Sequence, residues 1–305
     1  MVIVQKVLSS AWFLLILVVI IWSANWPIMK IGLRSIDPAW FTVARLLIAF
    51  ISISILLIFM GRFKLPHKQD LPVVFGAGVL LFAVFVVCVH DGLAHVNAGR
   101  AALLSYTTPL WVAPGAYFLL KEKMTRLQII GLGIGLSGLI ILFNPFNFDW
   151  GNPQIVKGNA MLLLAALVWA LSILQVRNHQ WVGTVLELTP WQILVALCIV
   201  VPMAWFEDTR PTIWSTELVV ILLYNGVLAT GFAQWASMRL TQLLPAITVS
   251  LGFLLVPVTG VLLSTIWLGE PYTVTLAAGM VLIISGLLFQ LNWQRLRTNF
   301  LFIRR

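Results

Sequence analysis

His90 and Asp91 form the only dyad beside an apolar run in this sequence whose side-chain types could bind and release a proton near neutral pH. Facing a cavity, such a pair would couple solute movement to a proton gradient. The structural alternative places Asp91 at an outer edge, solvated or paired with Arg100. Arg45 lies about five residues inside another apolar run, roughly 7 Å deep at 1.5 Å per residue. Its guanidinium cannot shed its charge, so it must meet water or a partner. A substrate carboxylate fits the planar fork; snorkelling to the interface, or pairing with Asp37, are the structural readings. Trp22, Asn25, Trp26 and Met29 recur every three to four residues and share one helix face. That face is either a cavity wall, in which rings supply area and the amide sets orientation, or a helix contact with tryptophan anchors.

Tyr106 and Trp111, then Trp169, Gln175, Gln234 and Trp235, are the further polar and aromatic residues within apolar runs. With Trp22, Asn25, Trp26, Arg45 and His90 they make the expected substrate-binding set, suited to a zwitterionic or neutral metabolite such as an amino acid. No nucleophile or metal-ligand set accompanies His90 and Asp91, so catalytic residues, metals and cofactors are not expected. Cys88 and Cys198 read as small buried hydrophobes.

The elements that must position these side chains are membrane helices. Of 305 residues 61% are hydrophobic and 10% charged, and the mean hydropathy is +1.01, far from the balance of a water-soluble domain. Ten apolar runs stand out: 8–33, 40–60, 72–92, 98–119, 127–143, 158–176, 189–206, 216–237, 244–268 and 273–292. They are continuous rather than alternating, which favours helices over a barrel, and they leave no room for a soluble catalytic domain. The first is read as a retained helix rather than a cleaved signal. The net charge of +9 comes from basic residues scattered singly, not from a patch, so no nucleic-acid partner is expected. With the N-terminus inside, Lys30, Arg34, Arg100, Lys157 and Arg210 fall outside, Arg45 lies within a span, and the other basic residues fall inside. That asymmetry predicts both termini in the cytoplasm; the membrane is expected to be a plasma membrane, the bacterial inner membrane.

An internal repeat organises the chain. Pro109 and Glu122 recur as Pro257 and Glu270, and Gly131 and Gly138 as Gly279 and Gly286, all at an offset of 148 residues. Trp22 and Lys30 recur as Trp169 and Arg177 at an offset of 147. Two halves of five helices are implied, 1–147 and 148–305. Five is odd, so the second half enters the membrane from the opposite side. Inverted repeats of this kind expose one midplane site to either side in turn. Pro109 and Pro257 are candidate hinges, since proline frees a carbonyl and bends a helix. Glu122 and Glu270 are candidate gate or helix-terminus residues, and the glycines are expected to pack helices 5 and 10 together.

The segments IWSANWPIMKIGL, DPAWFTVARLLIAF with its Arg45, and the stretch from HDGLAHVNAGR to GIGLSGLIIL, followed by the second Pro257, Leu268-Gly269-Glu270 and glycine series, together resemble the EamA family of the drug/metabolite transporter superfamily. The resemblance covers nearly the whole chain. It implies an all-helical carrier of ten transmembrane helices in two inverted five-helix repeats, moving small metabolites and often exporting amino acids or related solutes. His90-Asp91 departs from the tyrosine and small apolar residues of typical relatives. No acid sits at the middle of an apolar run, unlike the buried glutamate of the related small multidrug-resistance carriers, which argues against export of lipophilic cations. The expectation is a secondary transporter, a monomer or homodimer, with protons as coupling ion through His90 and Asp91. An uncoupled permease is the alternative, and an intramembrane enzyme the least favoured reading.

Overall fold

The computed structural model describes residues 2–122, 124–143, 151–207, 211–269, 274, 275 and 277–286, and the expected apolar runs are helical over most of their described length. Hydrocarbon offers no partner to backbone N–H and C=O groups, so a chain this apolar satisfies them within helices. In the first half these are α1 (Val2–Gly32), α2 (Pro38–Phe59), α3 (Leu71–Ala77), α4 (Phe85–His95), α5 (Ala98–Ser105), α6 (Thr108–Leu119) and α7 (Arg126–Phe143). In the second they are α8 (Pro153–Asn178), α9 (Val185–Glu207), α10 (Thr216–Leu223), α11 (Ala233–Leu243), α12 (Ala246–Gly252), α13 (Leu255–Leu268) and α14 (Ala277–Gly286).

Helix starts follow local chemistry. Asp37 accepts from the Ala39 N–H with Pro38 in the first turn, and Asn152 accepts from Gln154 and Ile155 with Pro153 in the first turn.

Ten uninterrupted spans are not what the described residues display. Six stretches have the length and apolarity to cross a bilayer: Ala11–Gly32, Pro38–Phe59, Lys68–His95, Pro153–Asn178, Val185–Phe206 and Thr216–Leu243. The fourth and ninth runs are each split into two helices, α5/α6 at Tyr106 and Thr107 and α12/α13 at Phe253 and Leu254. The cause is proline: Pro109 and Pro257 have no N–H for the carbonyl four residues back, which is Ser105 in one run and Phe253 in the other, so the α-helical ladder is interrupted there. The third and eighth runs are continuous but pass through a π-helical segment, Gly78–Val84 and Tyr224–Phe232. Breaks and π segments therefore recur at the offset of the sequence repeat. Such irregularities cluster at functional sites, and broken helices in corresponding positions mark transporter binding sites.

The two halves interlock. Helix α1 packs on α13, α2 on α9 and α4 on α8, each contact joining one half to the other. Ser23 of α1 bonds to the Val256 carbonyl and to the Thr259 hydroxyl of α13. Against α14, helix α7 approaches as closely as backbones allow. A methyl group on Gly138 would lie 2.6 Å from the Gly279 carbonyl, and one on Gly286 would lie 2.5 Å from the Gly131 carbonyl. The expected packing of the fifth helix against the tenth is thus reciprocal: each half's second glycine sits on the other half's first.

Candidate functional site

Helix α1 delivers Trp22, Asn25, Trp26 and Met29 on one face, as their spacing requires, and α2 brings Arg45 beside them. Phe85 and Val89 come from α4, Tyr106 from the α5/α6 break, Trp169 from α8 and Gln234 from α11, just after the second π segment. Together they enclose a cavity of about 40 Å³ between the halves, room for little more than a water or two. Aromatic rings make up half of its wall, and Asn25, Met29, Arg45, Val89 and Gln234 make up the rest. Trp169 is the hub, with ring centroids 5.6 Å from Trp22, 5.3 Å from Phe85, 5.2 Å from Tyr106 and 5.6 Å from Phe253.

The π segment supplies polar partners that a regular helix would use internally. The Ala229 carbonyl accepts from Trp22 Nε1 at 3.0 Å, and Thr230 Oγ1 accepts from Arg45 Nε at 2.8 Å. Arg45 Nη1 donates to His90 Nε2 at 2.9 Å and to Met29 Sδ at 3.4 Å. An arginine only donates, so the His90 Nε2 accepts and its proton resides on Nδ1. Nδ1 in turn faces the Thr42 hydroxyl, which donates to the Pro38 carbonyl at 2.9 Å. Neither Arg45 nor His90 reaches a carboxylate among the described residues, and no acid lines the cavity. Arg45 neither snorkels nor pairs with Asp37: it is 6% exposed. Asn25 Oδ1 and Gln234 Nε2 are buried with no hydrogen-bond partner.

Asp91, one residue beyond His90, is turned about 100° around the helix and belongs elsewhere. It meets Lys157 at 3.2 Å and His95 at 3.5 Å, and all three line a second cavity of about 790 Å³ among α2, α4, α8 and α9. The structure therefore does not bring His90 and Asp91 together on one cavity. Thr42 is the shared wall: it lines the larger cavity and bonds to His90, which holds Arg45.

Of the other expected residues, Trp111 is 42% exposed on α6. Gln175 donates to the Pro72 carbonyl at 2.8 Å and fills the space over Gly76, a contact between α8 and α3. Trp235 is half-buried against Phe232. These three do not line the central cavity, and neither does His90, which reaches it only through Arg45. Phe85, Val89 and Thr230 do line or brace it and carried no polar or aromatic pattern by which to single them out as a group.

The charged residues of the repeat form matching contacts on opposite faces. On the face expected to be outer, Lys30 Nζ donates to the carbonyls of Leu93 and Val96, at 2.7 and 2.8 Å, where the third run ends. On the other, Arg177 donates to the Gln242 carbonyl at 2.9 Å, where the eighth run ends, and its Nε lies 3.3 Å from Glu122. A cation at a helix C-terminus meets unsatisfied carbonyls and the negative end of the dipole. Glu270, the repeat partner of Glu122, lies outside the described residues.

Known proteins share this architecture. Residues 9–144 and 156–291 each match the EamA-like transporter family. The chain is 27% identical to an uncharacterised transporter, YoaV, of Bacillus subtilis, over 90% of this chain and 94% of the relative. It is 27% identical to a probable amino-acid metabolite efflux pump of Salmonella typhimurium, over 93% and 96%. It is 26% identical to a probable terminal-alkyne amino-acid exporter of Streptantibioticus cattleyicolor, over 92% and 93%. A protein solved by crystallography superposes with a TM-score of 0.73 at 17% identity, covering 94% of this chain and 99% of its own, a likeness of fold alone. A family match in both halves, on an all-helical apolar scaffold with breaks at equivalent positions, makes this chain a member of the EamA-like transporter family, a multi-pass membrane transporter and not an enzyme.

Proposed function

We propose that the protein is a secondary transporter of small metabolites, exporting amino acids or related polar and aromatic solutes by alternating access at the central cavity between its halves, 1–147 and 148–305. One observation carries the reading: side chains from both halves converge on a small cavity lined by aromatic and polar residues, beside backbone irregularities that recur in each half. A transporter needs a site that can be exposed to one side while sealed from the other. The matching caps, Lys30 on one face and Arg177 with Glu122 on the other, are suited to be the seals, and the breaks before Pro109 and Pro257 are suited to be the hinges. The relatives named as an amino-acid metabolite efflux pump and an amino-acid exporter support the substrate range and direction.

The coupled form of this proposal rests on Asp91, which with His95 and Lys157 faces the larger cavity. The His90 ring favours the uncoupled alternative, because both its nitrogens are already engaged and a second proton would have to break the bond from Arg45. Counterflow in proteoliposomes with a panel of metabolites tests the main proposal. Saturable exchange of at least one solute supports it, and no exchange of any refutes it. A gradient-driven component lost on Asp91→Asn would support coupling, and unchanged pH dependence would refute it.

A further inference from the structure

We infer that the transported solute is an organic monoanion: a carboxylate carrying an apolar group and an uncharged hydrogen-bonding group, rather than a zwitterion or a cation. The inference rests on the carrier reading above and narrows its solutes from free amino acids to related compounds that carry no ammonium group.

The charge count of the central site leads there. Arg45 is buried in the interior of the bundle, a fixed positive charge beside a cavity with room for only a water or two. Its partners are a threonine hydroxyl, an imidazole nitrogen and a thioether, all neutral acceptors. Nη2 makes no hydrogen bond among the described residues, although the side chain lines the cavity. Breaking up a buried ion pair is costly because the surviving charge stays uncompensated. A structural arginine would be expected to have its carboxylate in the protein, and here it has none among the described residues. The missing negative charge is therefore one that comes and goes, and a planar carboxylate suits the guanidinium edge.

The same count disfavours the alternatives. A cation would meet a like charge with no acid to offset it. A zwitterion would cancel Arg45 locally but add an ammonium group, leaving the loaded site with the same net charge as the empty one. The two unpartnered amide atoms, Asn25 Oδ1 and Gln234 Nε2, are an acceptor and a donor. They fit an uncharged group offering one N–H or O–H and one oxygen, such as an acylated amine, with the rings around Trp169 taking the apolar part. An amino-acid derivative with its amine acylated satisfies all four features.

The test uses compounds matched in shape and differing in charge, with the full-length protein in proteoliposomes. N-acetyltryptophan is the anion, tryptophan the zwitterion and tryptamine the cation, with N-acetylleucine, leucine and isoamylamine as the aliphatic set. The expected result is counterflow of an acetylated anion about tenfold or more faster than its zwitterion, the size of effect a charge-assisted hydrogen bond gives. Arg45→Gln should bring anion and zwitterion within about twofold of each other, with Arg45→Lys between. Zwitterion flux equal to or faster than anion flux overturns the inference and leaves the carrier reading intact. Absence of counterflow for every compound in both sets and for the broader metabolite panel overturns both.

Discussion

Removing the amine of Lys30 and removing the guanidinium of Arg177 should open opposite faces of the transporter. Lys30 holds two carbonyls at the end of the third run, and Arg177 holds one at the end of the eighth together with Glu122. Opening either face requires those donors to leave their carbonyls. Each hydrogen bond to a charged group contributes about 1.5–3 kcal/mol, so losing the two from Lys30 should shift its face toward open by roughly 150-fold or more, at 1.36 kcal/mol per decade. The Arg177 side chain is 32% exposed, and solvent screens its pairing with Glu122. Arg177→Ala should therefore act more weakly, by about five- to tenfold on the opposite face. Spin labels at the exposed positions Arg34 and Asn97, and in a separate labelled pair at Asn178 and Arg239, report each face by pulsed electron resonance. Lys30→Ala should lengthen only the first distance and Arg177→Ala only the second. If both variants lengthen the same distance, or neither changes either, the symmetric-seal reasoning is refuted.

Glycine substitutions should separate close approach from open space on one helix. Gly138→Ala should lower the unfolding temperature by a destabilisation of about 1–3 kcal/mol from overpacking against α14. Gly133→Ala on the same helix meets nothing within 4 Å and should be neutral or stabilising by up to about 1 kcal/mol; equal effects would refute the packing. Gln175→Ala should cost stability by removing the bond to Pro72 while leaving the apparent KM unchanged, and a KM change would return Gln175 to the substrate path. Trp169→Ala removes the hub of four ring contacts and should cost about 3–5 kcal/mol. It also removes the wall shared by the central cavity and the small cavity at Ser172 and Ser237, so a solute leak without counterflow is expected; tight, exchange-competent vesicles would contradict that.

Which of these features could be read from the chain follows from the kind of signal each leaves. Paired special residues survive translation into geometry: Pro109 and Pro257 sit immediately after the two helix breaks, Gly138 and Gly286 meet the opposite helix, and Lys30 and Arg177 cap equivalent ends. The Trp22, Asn25, Trp26 face also survives, because α1 is regular where it lines the cavity. Trp111, Gln175 and Trp235 show where side-chain type alone fails. Trp111 and Gln175 sit on helices with little contrast between faces, and Trp235 follows directly on a π segment, so spacing does not say which way each side chain turns. The π segments add a second obstacle. An extra residue per turn rotates everything that follows, so the positions of Thr230 and Gln234 on the cavity wall do not follow from a 3.6-residue period. His90 and Asp91 illustrate a third: neighbours in sequence have different surroundings, His90 packed between Arg45 and Thr42 and Asp91 on the larger cavity with Lys157.

Alternating access requires a central cavity that each side reaches in turn, and a single cysteine there tests it most directly. Val89 lines the cavity and is buried, and the native Cys88 and Cys198 are first replaced by alanine. With Val89→Cys in vesicles of known orientation, a membrane-impermeant maleimide should label the cysteine from either side, and a transported solute should slow labelling from both. Labelling confined to one side under every condition, or labelling from both sides that no solute slows, would contradict alternating access at this site.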